Sequence, residues 1–316
     1  MKPTSEQPFA TQHPPPTWRA HGLGVIVVDH QALVRELPDH DHKTDILSTR
    51  VQVGGPVPTA LSLLKRFGVD ARFLGAWGDD ANGSLIEADL RAQGIEHEES
   101  YRRPGTPSGY AHVWVEDGSG KRSIAAYRGP ENIDIPFEWK RGLRPQDALL
   151  LDGWPPPSAI KAAQAMREGG GKVFLDLGSP KDRLPELLNL VDHVNCPERL
   201  LTRLFGPIDI EAGAHRLLAM GPTSVTVTSG EKGAQWFQKG GRWTQPGFPV
   251  SAVDTTGAGD VFSGSIAYGT MEGWLPHHTL AFACAAAALK CGQWGNRDAL
   301  PTLAQIRERV RAATKN

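Results

Sequence analysis

The sequence has few cysteines, no excess of charge of either sign and no long apolar run. Only 3 of its 316 residues are cysteines, too few for the framework of disulfides that holds a small secreted scaffold together. The 34 Lys and Arg residues balance 35 Asp and Glu, so the charge predicts neither a nucleic-acid nor a membrane partner. No run approaches the ~20 apolar residues of a membrane helix, and the first residues lack the apolar segment of a secretory signal. We therefore expect a reduced, cytoplasmic protein.

Glycine and proline are the residues in excess, with 35 Gly and 25 Pro. An average protein has roughly 12% of the two together, and disordered low-complexity chains have roughly 25–30% or more. This chain lies between the two, at about a fifth of its residues. Five of the prolines fall within residues 1–20, where no apolar periodicity accompanies them. We predict a disordered, proline-rich tail over residues 1–20 and one folded domain over residues 21–316.

Short apolar runs alternate with helical patterns over most of the chain. The runs typical of strands cover residues 25–29, 148–152, 172–176 and 224–228, and the helical patterns cover residues 59–67, 85–94, 158–168, 210–220 and 280–291. This alternation predicts an α/β fold in which helices cover both faces of a mostly parallel sheet. Residues 31–53 and 103–127 break the alternation with strand-like patterns, including a hairpin between 110–116 and 121–124. We predict that these two segments form a small separate β lid.

Three of the predicted strands end in an acidic residue: Asp29, Asp152 and Asp176. Ligands of open α/β sheets bind outside the carboxyl ends of the strands. Any one of these residues is explained equally well as the start of a turn or a helix cap. The three together favour a binding site at this edge of the sheet.

The most informative segment is Val-Asp-Thr-Thr-Gly-Ala-Gly-Asp-Val-Phe-Ser-Gly at residues 253–264. A strand-like run at 249–253 precedes it and a helical pattern at 261–271 follows, so Gly257, Ala258 and Gly259 are predicted to lie at a helix N-terminus. The free N–H groups and the positive end of the helix dipole attract an anion there, and the glycines leave room for a phosphate. Asp260 would lie beside that phosphate, where a carboxylate can act as a general base. The alternative is an Asp that only stabilises the helix N-terminus.

This twelve-residue segment resembles the signature of the pfkB, or ribokinase-like, family of carbohydrate kinases. Other segments resemble further motifs of that family, in the expected order between residues 22 and 302. They are Gly54-Gly55 before the helix at 59–67, the glycine-rich turn at 75–83, the Asn-x-x-Glu motif at 195–198 and the loops at 228–233 and 292–301. The resemblance implies a ribokinase-like three-layer α/β/α sandwich. It also implies an enzyme that transfers the γ-phosphoryl group of ATP to a sugar hydroxymethyl group.

The resemblance further implies roles for individual residues. Asp260 would be the general base, and Gly257, Ala258 and Gly259 would form an anion hole. Asp29, Gly54 and Gly55 would contact the sugar. The nucleotide would bind Asn195, Glu198, Thr228, Gly230 and Gly233, and Glu198 would also hold Mg²⁺ through water. A K⁺ ion would bind Asp254, Thr256 and backbone carbonyls near Lys290 and Gly295. A homodimer would form through the β lid.

The chain departs from the family pattern after Gly55. The family has two Asn residues that bind the sugar where this chain has Pro56 and Pro58, and a proline donates no hydrogen bond from its side chain or its backbone. The Gly-Gly-Pro form resembles a subgroup of ketose kinases, and the sugar's identity stays open. Two alternatives also stay open: a nucleoside kinase of the same fold, and a sugar-binding or regulatory protein with weak or no catalysis.

Overall fold

The computed structural model describes residues 15–313, apart from residues 42, 99, 100, 120, 132 and 134–136. The strands are β1 (Arg19–Leu23), β2 (Val27–Val34), β3 (Ile46–Gly54), β4 (Asp70–Phe73), β5 (Trp77–Gly78), β6 (Arg102–Arg103), β7 (Tyr110–Glu116), β8 (Arg122–Tyr127), β9 (Ala148–Leu151), β10 (Lys172–Asp176), β11 (His193–Pro197), β12 (Ser224–Thr228), β13 (Ala234–Gln238) and β14 (Gly241–Gln245). The helices are α1 (Pro56–Arg66), α2 (Ala81–Ala92), α3 (Phe137–Arg141), α4 (Pro156–Glu168), α5 (Leu184–Leu188), α6 (Glu198–Phe205), α7 (Ile210–Leu218), α8 (Ala258–Met271), α9 (Pro276–Cys291) and α10 (Leu303–Ala313).

The central sheet has eight strands in the order β14-β13-β12-β11-β10-β9-β1-β4. The six from β12 to β4 are parallel neighbours, and β13 and β14 are added antiparallel at one edge. Every residue of β9 is buried, as expected for a parallel strand covered on both faces. Helices α1, α4, α7 and α8 pack on the strands and enclose the apolar core. The predicted α/β sandwich with a mostly parallel sheet is confirmed.

A second sheet carries the two segments that were expected to form a lid. Its four strands lie in the order β3-β2-β7-β8. Strands β7 and β8 form the predicted antiparallel hairpin, and β2 pairs parallel to β7 and antiparallel to β3. The first lid strand begins at Val27, four residues earlier than the predicted segment.

The first strand of the central sheet lies earlier in the chain than the apolar pattern indicates. The prediction of a central strand over residues 25–29 is wrong, because β1 covers Arg19–Leu23 and Asp29 lies inside β2 of the lid. The pattern misses β1 because His21 stands in its middle. The buried imidazole accepts a hydrogen bond from Trp139 Nε1 at 3.0 Å, and its Nε2 lies 3.4 Å from Asp147 Oδ2. A polar side chain that is satisfied in this way can lie in a buried strand.

The folded part of the chain also begins earlier than residue 21. Residues 1–14 of the predicted tail lie outside the described residues. Trp18 is buried and its Nε1 donates to Glu272 at 2.8 Å, while Arg19 and Ala20 already belong to β1. The last residues of the expected tail are therefore part of the domain.

The segment before the glycine-rich motif is not a strand. Residues 246–252 have no regular structure, so the strand predicted at 249–253 is wrong. The backbone N–H groups of Val253 and Asp254 donate instead to the carbonyl of Cys291, at 2.8 and 3.2 Å. The motif is thus fixed to the end of α9 rather than to a sheet. No helix in the described part of the chain is long and apolar enough to span a membrane.

Candidate active site

The glycine-rich motif forms the start of α8. Gly257 precedes the helix with φ 78°, a left-handed conformation that favours glycine. Ala258, Gly259 and Asp260 form the first turn, whose N–H groups have no carbonyl one turn earlier in the helix to accept them. A Cβ atom added at Gly259 would have no heavy atom within 4 Å. The first turn of α8 is therefore open on the side of Gly259 and can admit an anion.

Two further carboxyl groups lie near Asp260. Burial, and then the negative charge of Asp260, raise the pKa of Asp29 to about 7. The same two causes raise the pKa of Asp176 to about 7, although Ser263 Oγ donates to Asp176 Oδ2 at 3.0 Å. Burial also raises the pKa of Asp260, against the positive charges of Arg122, Arg297 and Lys290. A carboxylate with a raised pKa accepts a proton more readily than an ordinary Asp.

Asp152 has a different position from Asp29 and Asp176. Its Oδ2 accepts the backbone N–H of Val25 at 2.7 Å, and its Oδ1 accepts that of Trp154 at 2.8 Å. It therefore ties the chain after β1 to the chain after β9. Of the three acidic residues expected at one edge, Asp152 and Asp176 follow or end central strands, and Asp29 approaches from the lid.

The residues expected to contact the sugar lie together between the lid and α1. The carboxylate of Asp29 lies so close to Gly54 that a Cβ atom there would collide with it. Gly55 has φ 109°, and a Cβ atom there would collide with the carbonyl of Val25. Pro56 is the first residue of α1. The N–H group that proline lacks would have no acceptor within the helix at this position, so proline costs no hydrogen bond there. Pro56 also lines a small cleft together with Asp176, Asn195 and Ser263.

The residues expected to bind the nucleotide lie at the carboxyl ends of two neighbouring strands. The pairing of β11 with β12 sets Pro197 beside Thr228. Gly230 then begins a 3₁₀ turn, and Gly233 directly follows it. Asn195 Oδ1 faces His193 and Thr226. Its Nδ2 atom is buried and has no hydrogen-bond partner among the described residues. Since a buried N–H donor is rarely left unsatisfied, this atom is a candidate ligand contact.

Glu198 fits a contact to Mg²⁺ through water. It is the first residue of α6 and its side chain is exposed. The described residues hold no group of three or more His, Cys, Asp or Glu that could bind a metal ion directly. Mg²⁺ usually keeps several waters and takes few protein ligands, so a single exposed carboxylate suits it.

The residues expected to bind K⁺ are arranged differently from the expectation. Asp254 is fully buried, and its carboxylate accepts N–H groups from Thr256 at 2.8 Å, Gln31 at 3.1 Å and Gly295 at 3.2 Å. Lys290 contacts this segment through its side chain, whereas backbone carbonyls near it were expected to bind the ion. Its Nζ donates to the backbone carbonyl of Asp254 at 3.1 Å. A cluster of donors and an ammonium group around one carboxylate does not fit a bound K⁺ ion.

Two arginines near Asp260 are not identified by the sequence pattern. Arg122 of the lid strand β8 donates from Nη1 to Thr255 Oγ1 at 2.8 Å, which connects the lid to the motif. Arg297 is buried, donates to Thr59 Oγ1 at 3.0 Å and bonds Asp89 through two nitrogens at 3.1 Å. Arg297 lies in the expected loop at 292–301 and Arg122 in the predicted lid. The local sequence pattern of neither segment indicates that its arginine lies near Asp260.

Known proteins resemble this chain over nearly its whole length. The profile of the pfkB family of carbohydrate kinases matches residues 23–303. The chain is 31% identical to the ATP-dependent ribose-1-phosphate kinase of Halopiger xanaduensis, over 89% of this chain and 94% of that protein. It is 30% identical to the fructokinase of Klebsiella pneumoniae, over 85% of this chain and 92% of that protein.

A solved structure gives the same result for the fold. The ribokinase of Arabidopsis thaliana, in complex with ribose and ATP, superposes with a TM-score of 0.76 and 25% identity, over 93% of this chain and 98% of that one. The match of the family profile over most of the chain agrees with the order of motifs and with the observed fold. The chain therefore belongs to the pfkB family of carbohydrate kinases and is a phosphotransferase that acts on a sugar hydroxyl group.

Proposed function

We propose that the protein is an ATP-dependent sugar kinase that transfers the γ-phosphoryl group to a hydroxymethyl group. The observation that carries this proposal is the position of Asp260 in the open first turn of α8, within electrostatic range of Asp29 and Asp176. A proton acceptor thus lies beside an anion site, and the second carboxyl group, Asp29, faces it from the lid. This is the arrangement that transfer of a phosphoryl group to an alcohol needs.

The proposed reaction follows from these positions. Asp29, held against Gly54, accepts hydrogen bonds from sugar hydroxyls and orients the acceptor. The acceptor oxygen forms a bond to the γ-phosphorus, the bond from the γ-phosphorus to the leaving oxygen of ADP breaks, and the hydroxyl proton passes to Asp260. The N–H groups of Gly257, Ala258 and Gly259 stabilise the charge on the transferred group.

The nucleotide is proposed to bind along the ends of β11 and β12. Asn195 supplies the buried Nδ2 donor, and Thr228, Gly230 and Gly233 line the turn after β12. Glu198 is proposed to hold Mg²⁺ through water. Mg²⁺ would neutralise charge on the β- and γ-phosphates.

The acceptor is proposed to be a furanose sugar or sugar phosphate. The relatives are named for ribose, ribose 1-phosphate and fructose, and Pro56 and Pro58 remove two side-chain donors that the family pattern has at this site. Recognition would then depend more on Asp29 and on basic groups such as Arg122 near Asp260.

An ADP-release screen tests the proposed function. ATP and Mg²⁺ are supplied with ribose, ribose 1-phosphate, fructose, sugar acids, polyols and nucleosides, and the variant Asp260→Asn gives the background for each acceptor. We expect at least one furanose acceptor to release ADP well above that background. Release only with nucleosides would favour a nucleoside kinase, and no release with any acceptor would contradict a sugar kinase.

We also propose a homodimer formed through the lid. The lid sheet exposes several large apolar side chains: Ile46, Leu47, Val51, Tyr110, Ile124 and Tyr127. All residues of the edge strand β8 are exposed. The strand register places Val51, Tyr110 and Tyr127 on the same face of this sheet. Apolar groups clustered on one exposed face favour association, and a second copy of the lid would cover these three.

A further inference from the structure

We propose that the ammonium group of Lys290 is a built-in cation that takes the place of the K⁺ ion expected beside Asp254, so that catalysis is independent of K⁺. This inference rests on the proposed kinase activity. It assigns to Lys290 the role of a positioning residue, which acts on the anion hole through the segment 254–257. It also replaces the expectation of a K⁺ site.

The first observation is the position of the lysine. Lys290 lies near the end of α9 and its side chain is completely buried. Its Nζ lies 3.1 Å from the carbonyl oxygen of Asp254 and 3.9 Å from Oδ2 of the same residue. Removing an ammonium group from water is costly unless it is paired, and here the pair is Asp254, whose exposed fraction is also zero.

The second observation is the number of donors that already surround Asp254. Thr256 N donates to Oδ1, and Gln31 Nε2 and Gly295 N donate to Oδ2. Gln31 is itself fixed, because its Oε1 accepts from Gln52 Nε2 at 2.9 Å. A K⁺ ion binds through oxygen atoms, whereas the groups turned toward this carboxylate are nitrogen donors, and the ammonium group would repel a second cation.

The third observation connects the lysine to the anion hole. A Cβ atom placed on Gly257 would lie 3.7 Å from Cε of Lys290, so the lysine stem lies close to the residue that caps α8. The carbonyl held by Nζ is three residues earlier in the same loop. Loss of the ammonium group would leave the buried carboxylate of Asp254 with its N–H donors but without a positive partner, next to the first turn of α8. The lysine thus fixes the geometry of the phosphate site.

The positive charge of Lys290 also acts on Asp260, the proposed base. Lys290 is one of the three positive groups that oppose the raised pKa of Asp260. Burial lowers the pKa of Lys290 and the negative charge of Asp254 opposes that change. Asp254 therefore favours the charged form of Lys290, and the ammonium group of Lys290 favours the charged form of Asp260.

A comparison of monovalent salts tests the proposal on the wild-type protein. Initial rates are measured in KCl, NaCl and tetramethylammonium chloride at the same ionic strength, with the acceptor found in the screen. We expect rates that agree within about twofold. Activation of more than about tenfold by K⁺ over both other salts would overturn the proposal.

Lys290→Ala removes the charge and leaves space for an ion. We expect kcat to fall at least about 100-fold in NaCl, as expected for a misplaced catalytic site, and to recover in part with KCl or NH₄Cl. A variant as active as the wild type in NaCl would overturn the proposal. Lys239→Ala, in the exposed turn between β13 and β14, is the matched control and is expected to show no response to KCl.

Thermal unfolding gives a readout that needs no substrate. We expect KCl to raise the Tm of Lys290→Ala by about 2–4 °C relative to NaCl, as for an ion that binds only the folded state, and to leave the wild-type Tm unchanged. A K⁺-specific increase in the wild-type Tm would overturn the proposal. This measurement separates a failure of the Lys290 inference from a failure of the kinase assignment, because it does not depend on turnover.

Discussion

The proposed site contains carboxylic acids whose pKa values are raised by burial. Asp29 and Asp176 both have a pKa of about 7, and the charge of Asp260 contributes to each. The fold keeps these groups in place although their charged forms are destabilised. Such a cost at a site of chemistry is common, because binding and catalysis need groups that stability alone would not select.

Stability should therefore fall as the pH rises through the range in which Asp29 loses its proton. Its pKa is raised from 3.8 to about 7 on folding, so between these values the folded state binds more protons than the unfolded state, and the free energy of unfolding decreases with pH. Asp29→Asn does not titrate. We expect it to gain stability relative to the wild type between pH 5 and pH 8, by on the order of 2 kcal/mol, in urea unfolding without ligands.

The control for this experiment is Asp182→Asn, which changes an exposed carboxylate. It should follow the wild-type dependence on pH. An Asp29→Asn variant that runs parallel to the wild type over this range would show that Asp29 is ionised at both pH values, which contradicts a raised pKa for its carboxyl group.

At the scale of the elements, two glycines of α8 have different surroundings. Gly259 lies in the first turn and faces open space, whereas a Cβ atom at Gly264 would lie 3.2 Å from Cα of Ala60 on α1. We propose that the helix uses Gly259 to admit a ligand, whereas Gly264 lets it approach α1 closely. The sequence pattern shows both glycines but does not distinguish them.

Gly259→Ala should lower activity without lowering stability. The added methyl group meets no neighbour within 4 Å, and Ala favours a helix more than Gly does. The methyl group would enter the space that the phosphate needs, so we expect kcat/KM for ATP to fall about 10–100-fold while the Tm stays the same or increases. Steady-state kinetics and a thermal melt of the same sample measure both effects.

Gly264→Ala should give the opposite pattern in stability. Its methyl group would press on Ala60, and we expect the free energy of unfolding to fall by about 1–3 kcal/mol. If Gly259→Ala keeps the wild-type kcat/KM, or if Gly264→Ala is as stable as the wild type, these assignments are contradicted.

At the scale of the whole molecule, the sequence predicts the repeating part of the fold well. The strands β10 and β12 have the predicted bounds, and the β7-β8 hairpin lies where turn chemistry places it. These elements are decided by local periodicity. The pattern misses β1 because the stability of this strand depends on β9, with which it pairs across more than 100 residues, and on the polar partners of His21.

In the site, too, features that depend on neighbouring residues can be predicted and those that depend on distant residues cannot. The glycines and Asp260 are adjacent in the chain, so the role proposed for them rests on one segment. The ammonium group of Lys290 reaches Asp254 from 36 residues away, and Arg122 reaches Thr255 from 133 residues away. Only tertiary packing brings these groups together, and no local pattern specifies which way their side chains point.

The exposed face of the lid should control the oligomeric state. Val51 and Tyr127 lie on the same face of β3 and β8, with exposed fractions of 55% and 41%. We expect a dimer in sedimentation equilibrium at micromolar concentration, and a monomer after Val51→Asp and Tyr127→Asp together, because buried carboxylates oppose association. Leu85→Asp, at an exposed position of α2, should leave the dimer intact. A wild-type monomer would contradict the proposed interface.

The central claim is that Asp260 accepts the proton of the attacking hydroxyl beside the anion hole of α8. The most direct measurement compares kcat and the Kd for ATP between the wild type and Asp260→Asn, with the acceptor from the screen. We predict that kcat falls by roughly 10²–10⁴-fold, the usual contribution of a general base, while the Kd for ATP changes little. A variant that retains kcat within a few-fold of the wild type would contradict the claim.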